Sequence, residues 1–173
     1  MKTNYKWILT VFLLSFFLAM FFTFIAETVI SNVSLVIGII ITLIIVFIGI
    51  ICDMVGVAVS TVKVEPFNAM ASKKIKEAKT ALMLIKNKDK VSSIFCDVIG
   101  DVCGVITGST GAAIIVGISV ISSVNTLVIS LKIMGLLSTL TITGKAIGKN
   151  IAMRNSTKII RTVAKIVSIF NKH

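Results

Sequence analysis

Proline and charge are scarce in this sequence. Its 173 residues include one proline, and charged residues make up 14% of the chain. These low values exclude a disordered chain or one built around long linkers. Hydrophobic residues make up 56%, and the mean hydropathy is +1.05. Because a soluble domain of this size cannot bury so much apolar surface in its own core, we expect a single domain in contact with lipid.

Residue types that carry chemistry are also few. The chain has one histidine, at its last position, and three cysteines, Cys52, Cys96 and Cys103, all within apolar runs. A thiol in such a run behaves as a small hydrophobe, so we expect neither a disulfide nor a zinc site. No nucleophile–base–acid grouping and no phosphate-binding glycine loop is present. The sequence therefore predicts that the protein is not an enzyme.

Positive charge is plentiful but confined. The net charge is +11, and the basic residues collect at Lys2 and Lys6, between residues 63 and 90, and between residues 145 and 172. Only Lys132 lies elsewhere, and this clustering follows the positive-inside rule for cytoplasmic segments. No zinc-finger spacing or RNA-binding signature accompanies the charge, which argues against nucleic acid. We predict a multi-pass plasma-membrane protein with both termini in the cytoplasm.

Four apolar runs are long enough to cross a bilayer. The first, residues 7–25, has about 19 residues, more than a signal-peptide core, so we interpret it as a transmembrane helix. The predicted fold is an all-α membrane protein organised as one transmembrane domain, residues 1–173. Its segments are an extra N-terminal transmembrane helix in 1–31, a second in 32–60, a cytoplasmic helical loop in 61–92, a third span in 93–118, a fourth in 119–143 and a basic amphipathic helix in 144–173.

Two polar segments have a helical period. In the cytoplasmic loop, apolar residues recur at spacings of three and four, which predicts an amphipathic helix against the bundle or the inner leaflet. These residues are Ile75, Ala78, Leu82 and Ile85. The tail has an apolar stripe of Ile160, Val163, Val167 and Phe170, and a basic stripe of Arg154, Lys158, Arg161, Lys165 and Lys172. This pattern is typical of a helix attracted to anionic inner-leaflet lipid, and the alternative is a helix packed on a partner or another domain.

Charged residues within the apolar runs are the candidate functional residues, because charge inside a bilayer is costly. At about 1.5 Å per residue, Asp53, Asp97 and Asp101 lie roughly 6 to 12 Å from the inner boundary. Ser60 adds a hydroxyl oxygen nearby in sequence. Oxygen ligands of this kind suit Mg²⁺, so these four residues form a candidate metal site. The alternatives are that the long side chain of Lys132 pairs with Asp101 or Asp53, and that Asp97 faces cytoplasmic water.

A ridge of small residues follows on the third span. Gly100, Gly104 and Gly108 repeat at four-residue spacing. Glycines at this spacing let another helix approach closely. The ridge is compatible with a contact inside the chain or with one between subunits.

Four short motifs follow one another between Gly49 and Ile169: CDMVGVAVSTVK, AKTALMLIKNKDKVSS, IGDVCGV and GKAIGKNIAMRN. Their order resembles the transmembrane domain of the cyclin-M/CorC (CorB) magnesium transporters. The resemblance implies a homodimer that moves Mg²⁺. Asp53 stands where the family has Glu, Asp101 where it has its first Asn, and Lys145 where it has the Glu of G-E-x-x-P-K. A lysine there repels Mg²⁺ or occupies its place. The CBS pair and the C-terminal domain of larger members have no counterpart in these residues.

Two hypotheses about function follow. The first is a divalent-cation transporter or channel-like protein of the cyclin-M/CorC type, with an inward-facing Mg²⁺ site at Asp53, Asp97, Asp101 and Ser60. The second is a non-transporting membrane scaffold or accessory subunit, whose buried acids pair with Lys132 and Lys145. A small pore-forming or lytic protein ranks last, because it gives no reason for the Asp pair.

Overall fold

The computed structural model describes residues 5–121 and 125–170, and every regular element in these ranges is a helix. The long helices are α1 (Tyr5–Ser31), α2 (Leu35–Thr61), α6 (Asp101–Ile121) and α7 (Thr126–Phe170). Between α2 and α6 lie the short helices α3 (Glu65–Ser72), α4 (Lys76–Lys86) and α5 (Lys88–Ser93). A π-helical turn, Ile94–Gly100, then leads directly into α6.

Four helical stretches are long and apolar enough to cross a membrane: Tyr5–Ile30, Leu35–Thr61, Lys88–Ile121 and Thr126–Ile169. The predicted all-helical class and the four long apolar helices are therefore confirmed. The third stretch begins earlier than predicted because α5 and the π-helical turn continue into α6 without a break. The fourth span and the basic tail follow one another in α7, whose helical backbone is broken at Asn155. Part of the turn expected at 119–125, residues 122–124, lies outside the described residues, as do Lys2, Lys172 and the side chain of Phe170.

The chain reverses between α3 and α4 through a helix-ending motif. Pro66 occupies the first turn of α3, where its missing N–H leaves no hydrogen bond unmade. At the other end, Lys74 adopts the left-handed conformation with φ of 55°. Its N–H donates to the carbonyl of Ala71, and the N–H of Ile75 donates to the carbonyl of Met70. This pair of bonds is a Schellman motif with lysine in the position that glycine usually takes.

The chain divides into two compact units. Unit 1 comprises Met1–Ile50 and Val98–Gly144. In it, α1 packs along α6, and Ala26, Val102 and Ile106 form a small buried cluster. Close approaches use small residues, since a Cβ on Gly49 would lie 3.0 Å from the Cβ of Cys103. Large apolar side chains on the outer faces of α1 and α2 are exposed.

Unit 2 comprises Ile51–Asp97 and Lys145–His173 and has its own core. Phe67 of α3 is fully buried at its centre. The other buried members come from α2, α4 and α7: Ala58, Val59, Ala81, Ile85, Ala152, Ile160 and Ala164. Ile160, the first residue of the predicted apolar stripe, therefore packs within the unit, and Val163 and Val167 are half-buried. Helix α4, in the predicted cytoplasmic loop, also turns apolar residues inward, because Ala78 and Ile85 are buried.

Candidate functional site

One carboxylate in unit 2 is the centre of the site. Asp53, on α2, is 3% exposed and is the one buried charged side chain among the described residues. Its Oδ2 lies 3.5 Å from Nζ of Lys145 and 3.8 Å from Nζ of Lys149. The two lysines are four residues apart on α7, so they lie on neighbouring turns of one helix side. We call Asp53, Lys145 and Lys149 the acid–lysine cluster.

The energetics of this cluster depend on burial. Removing a carboxylate from water costs several kcal/mol, and the attraction of nearby cations has to offset that cost. Both N···O distances exceed the roughly 2.7–2.9 Å of a charge-assisted hydrogen bond, so the attraction is mainly Coulombic. The lysine side chains are 21% and 51% exposed, whereas the Asp53 side chain is 4% exposed. The lysines therefore keep part of their hydration while they neutralise a carboxylate that has lost nearly all of its own.

A π-helical turn borders the cluster. Cys96 lies on this turn, and its Sγ is 3.6 Å from the backbone carbonyl oxygen of Asp53. Gly56, one turn after Asp53, makes room for this approach. A Cβ there would overlap Sγ of Cys96 and lie 3.1 Å from the carbonyl oxygen of Ser92. The absence of a side chain at Gly56 thus fixes how closely α2 meets the turn that carries Cys96.

The other predicted metal ligands have different surroundings. Asp97 is exposed and accepts a 2.7 Å hydrogen bond from the hydroxyl of Ser93. Asp101 is also exposed. The hydroxyl of Ser60 donates to the carbonyl of Gly56 in its own helix, at 3.0 Å. Across residues 5–121 and 125–170, no three His, Cys, Asp or Glu side chains are grouped so that they could hold a metal ion.

The two lysines singled out in the sequence differ. Lys145 lies beside Asp53, the kind of pairing that the second hypothesis requires. Lys132 is exposed and forms no ion pair within 4.0 Å with any described acidic residue. Lys149 was missed, although its spacing of four from Lys145 placed it on the same side of the tail helix. The segment GKAIGK shows this spacing of the two lysines, but nothing in the sequence indicates that Asp53 lies against them.

Two glycines of the ridge, Gly104 and Gly108, have open space where a side chain would be. A Cβ added at Gly104 or Gly108 would meet nothing within 4 Å. These glycines instead line an open groove of about 200 Å³ in unit 1, beside Thr107, Ser138 and Thr141 of α6 and α7. The close approach to α7 occurs at Gly111, where a Cβ would lie 2.8 Å from a methyl of Leu137. Within the described residues no close helix contact is made at Gly104 or Gly108, and a contact between subunits stays a prediction.

Unit 1 has polar contacts of its own. The hydroxyl of Thr42 is 3.1 Å from the hydroxyl of Thr110, which joins α2 to α6, and both residues are buried. Ser109 of α6 donates to the carboxylate of Glu27 on α1. Sequence reasoning missed these contacts because single Thr, Ser and Glu residues have no distinguishing spacing.

Comparisons of the chain with models of protein families, with curated proteins and with solved structures found no match. The chemistry of the site therefore rests on its geometry. The acid–lysine cluster holds a neutralised carboxylate between two helices. It contains no nucleophile activated by a base, and its two ammonium groups repel an incoming cation.

Proposed function

We propose that this chain is an integral membrane protein that does not transport ions, and that it acts as a membrane scaffold or accessory subunit. Its four long apolar helices, with large apolar side chains exposed along α1 and α2, support membrane insertion. The basic residues concentrate in unit 2, which supports a cytoplasmic position for that unit. Unit 2 then presents helices α3, α4 and the end of α7 as a folded platform at the membrane surface.

The acid–lysine cluster is the observation that carries this proposal. Asp53 is the most deeply buried of the carboxylates predicted to bind Mg²⁺, and two lysines of α7 already compensate its charge. A divalent cation at Asp53 would lie within a few ångströms of two ammonium groups, where like charges oppose binding. The same pairs tie α7 to α2. The cluster is therefore suited to holding the basic helix on the core of unit 2.

The divalent-cation transporter of the cyclin-M/CorC type, working as a homodimer, is the second candidate. One observation favours it: Asp97 lies on a π-helical turn with its carboxylate exposed. Such turns occur frequently at functional sites. An exposed carboxylate beside the hydroxyl of Ser93 offers two oxygen ligands, and water would have to supply the others.

Magnesium binding and flux distinguish the two candidates. The purified chain is heated with millimolar Mg²⁺ and, separately, with NaCl of the same ionic strength. In parallel, it is reconstituted into vesicles that contain a magnesium-sensitive dye. We expect equal melting temperatures in the two salts and no dye response above that of empty vesicles. A binding ion has to stabilise the folded state by mass action, so the absence of a shift excludes a site occupied at these concentrations.

Matched variants make this test specific. Asp53→Asn and Asp97→Asn remove one carboxylate each, and Glu65→Gln removes an exposed carboxylate elsewhere in unit 2. The transporter candidate requires a Mg²⁺-specific rise in melting temperature and a Mg²⁺ flux, both lost in Asp53→Asn or Asp97→Asn and kept in Glu65→Gln. That result would overturn the proposal.

A further inference from the structure

The second half of α7 follows directly after an apolar stretch, which constrains where it lies. α7 begins at Thr126, and about 20 helical residues are enough to cross the roughly 30 Å of a hydrocarbon core. On the proposed membrane insertion, the basic end of α7 emerges at the headgroups. Further along, α7 is interrupted at Asn155, which has a non-helical φ of −118° and ψ of 24°.

Before Asn155, apolar side chains point away from the core of unit 2. Ile147 and Ile151 are 57% and 44% exposed, four residues apart on α7. Arg154 is exposed three residues further on. The opposite side of this segment holds the buried Ala152. The two isoleucines and Arg154 therefore form one exposed strip of the helix.

After Asn155, the same combination repeats. Lys158, Arg161 and Lys165 are exposed at spacings of three and four, and Ile166 and Ile169 beside them are 52% and 63% exposed. The stripe that faces the core is Ile160 and Ala164, both fully buried. The exposed isoleucines are thus additional to the residues that fold the unit. We call eight exposed residues of α7 the tail face: Ile147, Ile151, Arg154, Lys158, Arg161, Lys165, Ile166 and Ile169.

Charge and apolar surface together decide what fits this face. Residues 51–97 and 145–173 contain 15 of the 18 Lys and Arg residues and five of the seven acidic residues. Basic residues therefore outnumber acidic residues in unit 2 by three to one. Anionic headgroups attract such a segment. Isoleucines interleaved with these cations gain by entering the acyl boundary, as in interfacial helices. Nucleic acid would use the cations but leave the isoleucines in water, and the tail face has no aromatic residue for stacking bases.

We propose that the tail face binds the surface of an anionic phospholipid leaflet, with Lys158, Arg161 and Lys165 at the headgroups and Ile166 and Ile169 in the acyl boundary. This inference rests on the proposed membrane function and makes it more specific. It keeps the predicted attraction of the basic stripe to anionic lipid and assigns the apolar contact to Ile166 and Ile169, because Ile160 faces the core.

The test reads lipid contact directly. The chain has one tryptophan, Trp7, so the full-length Trp7→Phe protein carrying Ile166→Trp has a single indole on the tail face, the tail reporter. It is reconstituted into nanodiscs that contain brominated phosphatidylglycerol or brominated phosphatidylcholine, and tryptophan quenching is measured. Met83→Trp in the same Trp7→Phe background, at a site in unit 2 with a similar exposure of 49%, gives the control reporter. We expect the tail reporter to be quenched more than the control reporter, and more by phosphatidylglycerol than by phosphatidylcholine.

Charge variants separate attraction by headgroups from apolar insertion alone. With Lys158→Gln, Arg161→Gln and Lys165→Gln combined, the preference of the tail reporter for phosphatidylglycerol should disappear, so that the quenching ratio falls to one. The matched triple variant Lys73→Gln, Lys74→Gln and Lys76→Gln should keep the ratio, because these exposed lysines lie outside the tail face.

Three outcomes would overturn the inference. The first is a tail reporter quenched no more than the control reporter, the second is equal quenching by both lipids, and the third is loss of tail-reporter quenching on addition of RNA. In each case, a protein that still incorporates into nanodiscs leaves the proposed membrane function intact. A protein that fails to incorporate at all contradicts the membrane function itself.

Discussion

The two units of this chain hold themselves together by different means. Unit 1 exposes large apolar side chains, such as Phe12 and Phe24, and buries mostly small or medium-sized residues between its helices. Unit 2 buries Phe67 completely and exposes nearly all of its lysines. The proposed membrane insertion accounts for this difference: a helix in lipid gains little from hiding its apolar side chains, whereas a helix in water has to hide them.

Charge follows the same division. Unit 1 contains two acidic residues, Glu27 and Asp101, and unit 2 contains five. The one carboxylate that is buried among the described residues, Asp53, belongs to the more polar unit and has lysines beside it. Burial of charge in this molecule therefore occurs where the chain itself supplies the compensating charge. Four substitution experiments test this comparison.

The largest effect should come from the double variant Lys145→Met/Lys149→Met. It leaves Asp53 buried without its two cations, and an orphaned buried charge costs about 3–5 kcal/mol. Unfolding in mixed detergent micelles should show a loss of stability of that size. Lys132→Met is the matched control, since Lys132 is exposed and has no ion pair with a described acidic residue. Equal losses of stability in the double variant and in the control would show that Lys145 and Lys149 do not compensate the charge of Asp53.

The core of unit 2 should give the next largest effect. Ile160→Ala removes a fully buried side chain, and such truncations cost about 2–5 kcal/mol through lost burial and a cavity. Ile166→Ala, on the exposed side of the same helix, should change the unfolding free energy by less than about 0.5 kcal/mol in detergent. If the two variants had reversed effects, the tail helix would pack with the opposite side inward.

The two units also differ in the space around their glycines. Gly56→Ala in unit 2 places a Cβ against Cys96 and the backbone of Ser92, and such overpacking costs about 1–3 kcal/mol. Gly104→Ala in unit 1 meets nothing within 4 Å, so the gain in helix propensity should leave stability unchanged or raised by up to about 1 kcal/mol. Thermal unfolding of both variants measures the contrast. Destabilisation by Gly104→Ala would show that another surface covers the ridge.

The smallest effect should come from the threonine pair of unit 1. Thr110→Val removes the hydroxyl that faces Thr42 and keeps the shape of the side chain. Hydrogen bonds between membrane helices contribute about 0.6 kcal/mol on average and at most about 1.7. Thr139→Val, on an exposed position of α7, is the control. A loss far above this range would mean that buried polar contacts, and not packing, hold unit 1 together.

Much of the fold could be predicted from the sequence because length and hydropathy determine it. The four long apolar helices and the helical loop follow from runs that only a helix accommodates at that length. Which side of the tail helix faces the core could not be predicted. Ile160 and Ile166 are equally apolar, and only the neighbouring Phe67 core decides between them.

The candidate site was less accessible to sequence reasoning. Asp53 and Lys145 were singled out, but their distance depends on how α7 packs on α2, and no periodicity encodes that. The π-helical turn at Ile94–Gly100 was missed for a similar reason. The depth count at about 1.5 Å per residue assumes an α-helix, so it does not apply across this turn, which contains Asp97 and leads to Asp101.

The central claim is that Asp53 is a structural charge neutralised by Lys145 and Lys149, and the most direct test adds Asp53→Asn to the double lysine variant. With the carboxylate neutralised, no orphaned charge remains, so most of the stability lost in Lys145→Met/Lys149→Met should return. The readout is the unfolding free energy of the wild type, the double variant, Asp53→Asn alone and the triple variant. A triple variant as unstable as the double variant, or less stable, would contradict the account and return Asp53 to the candidates for ion binding.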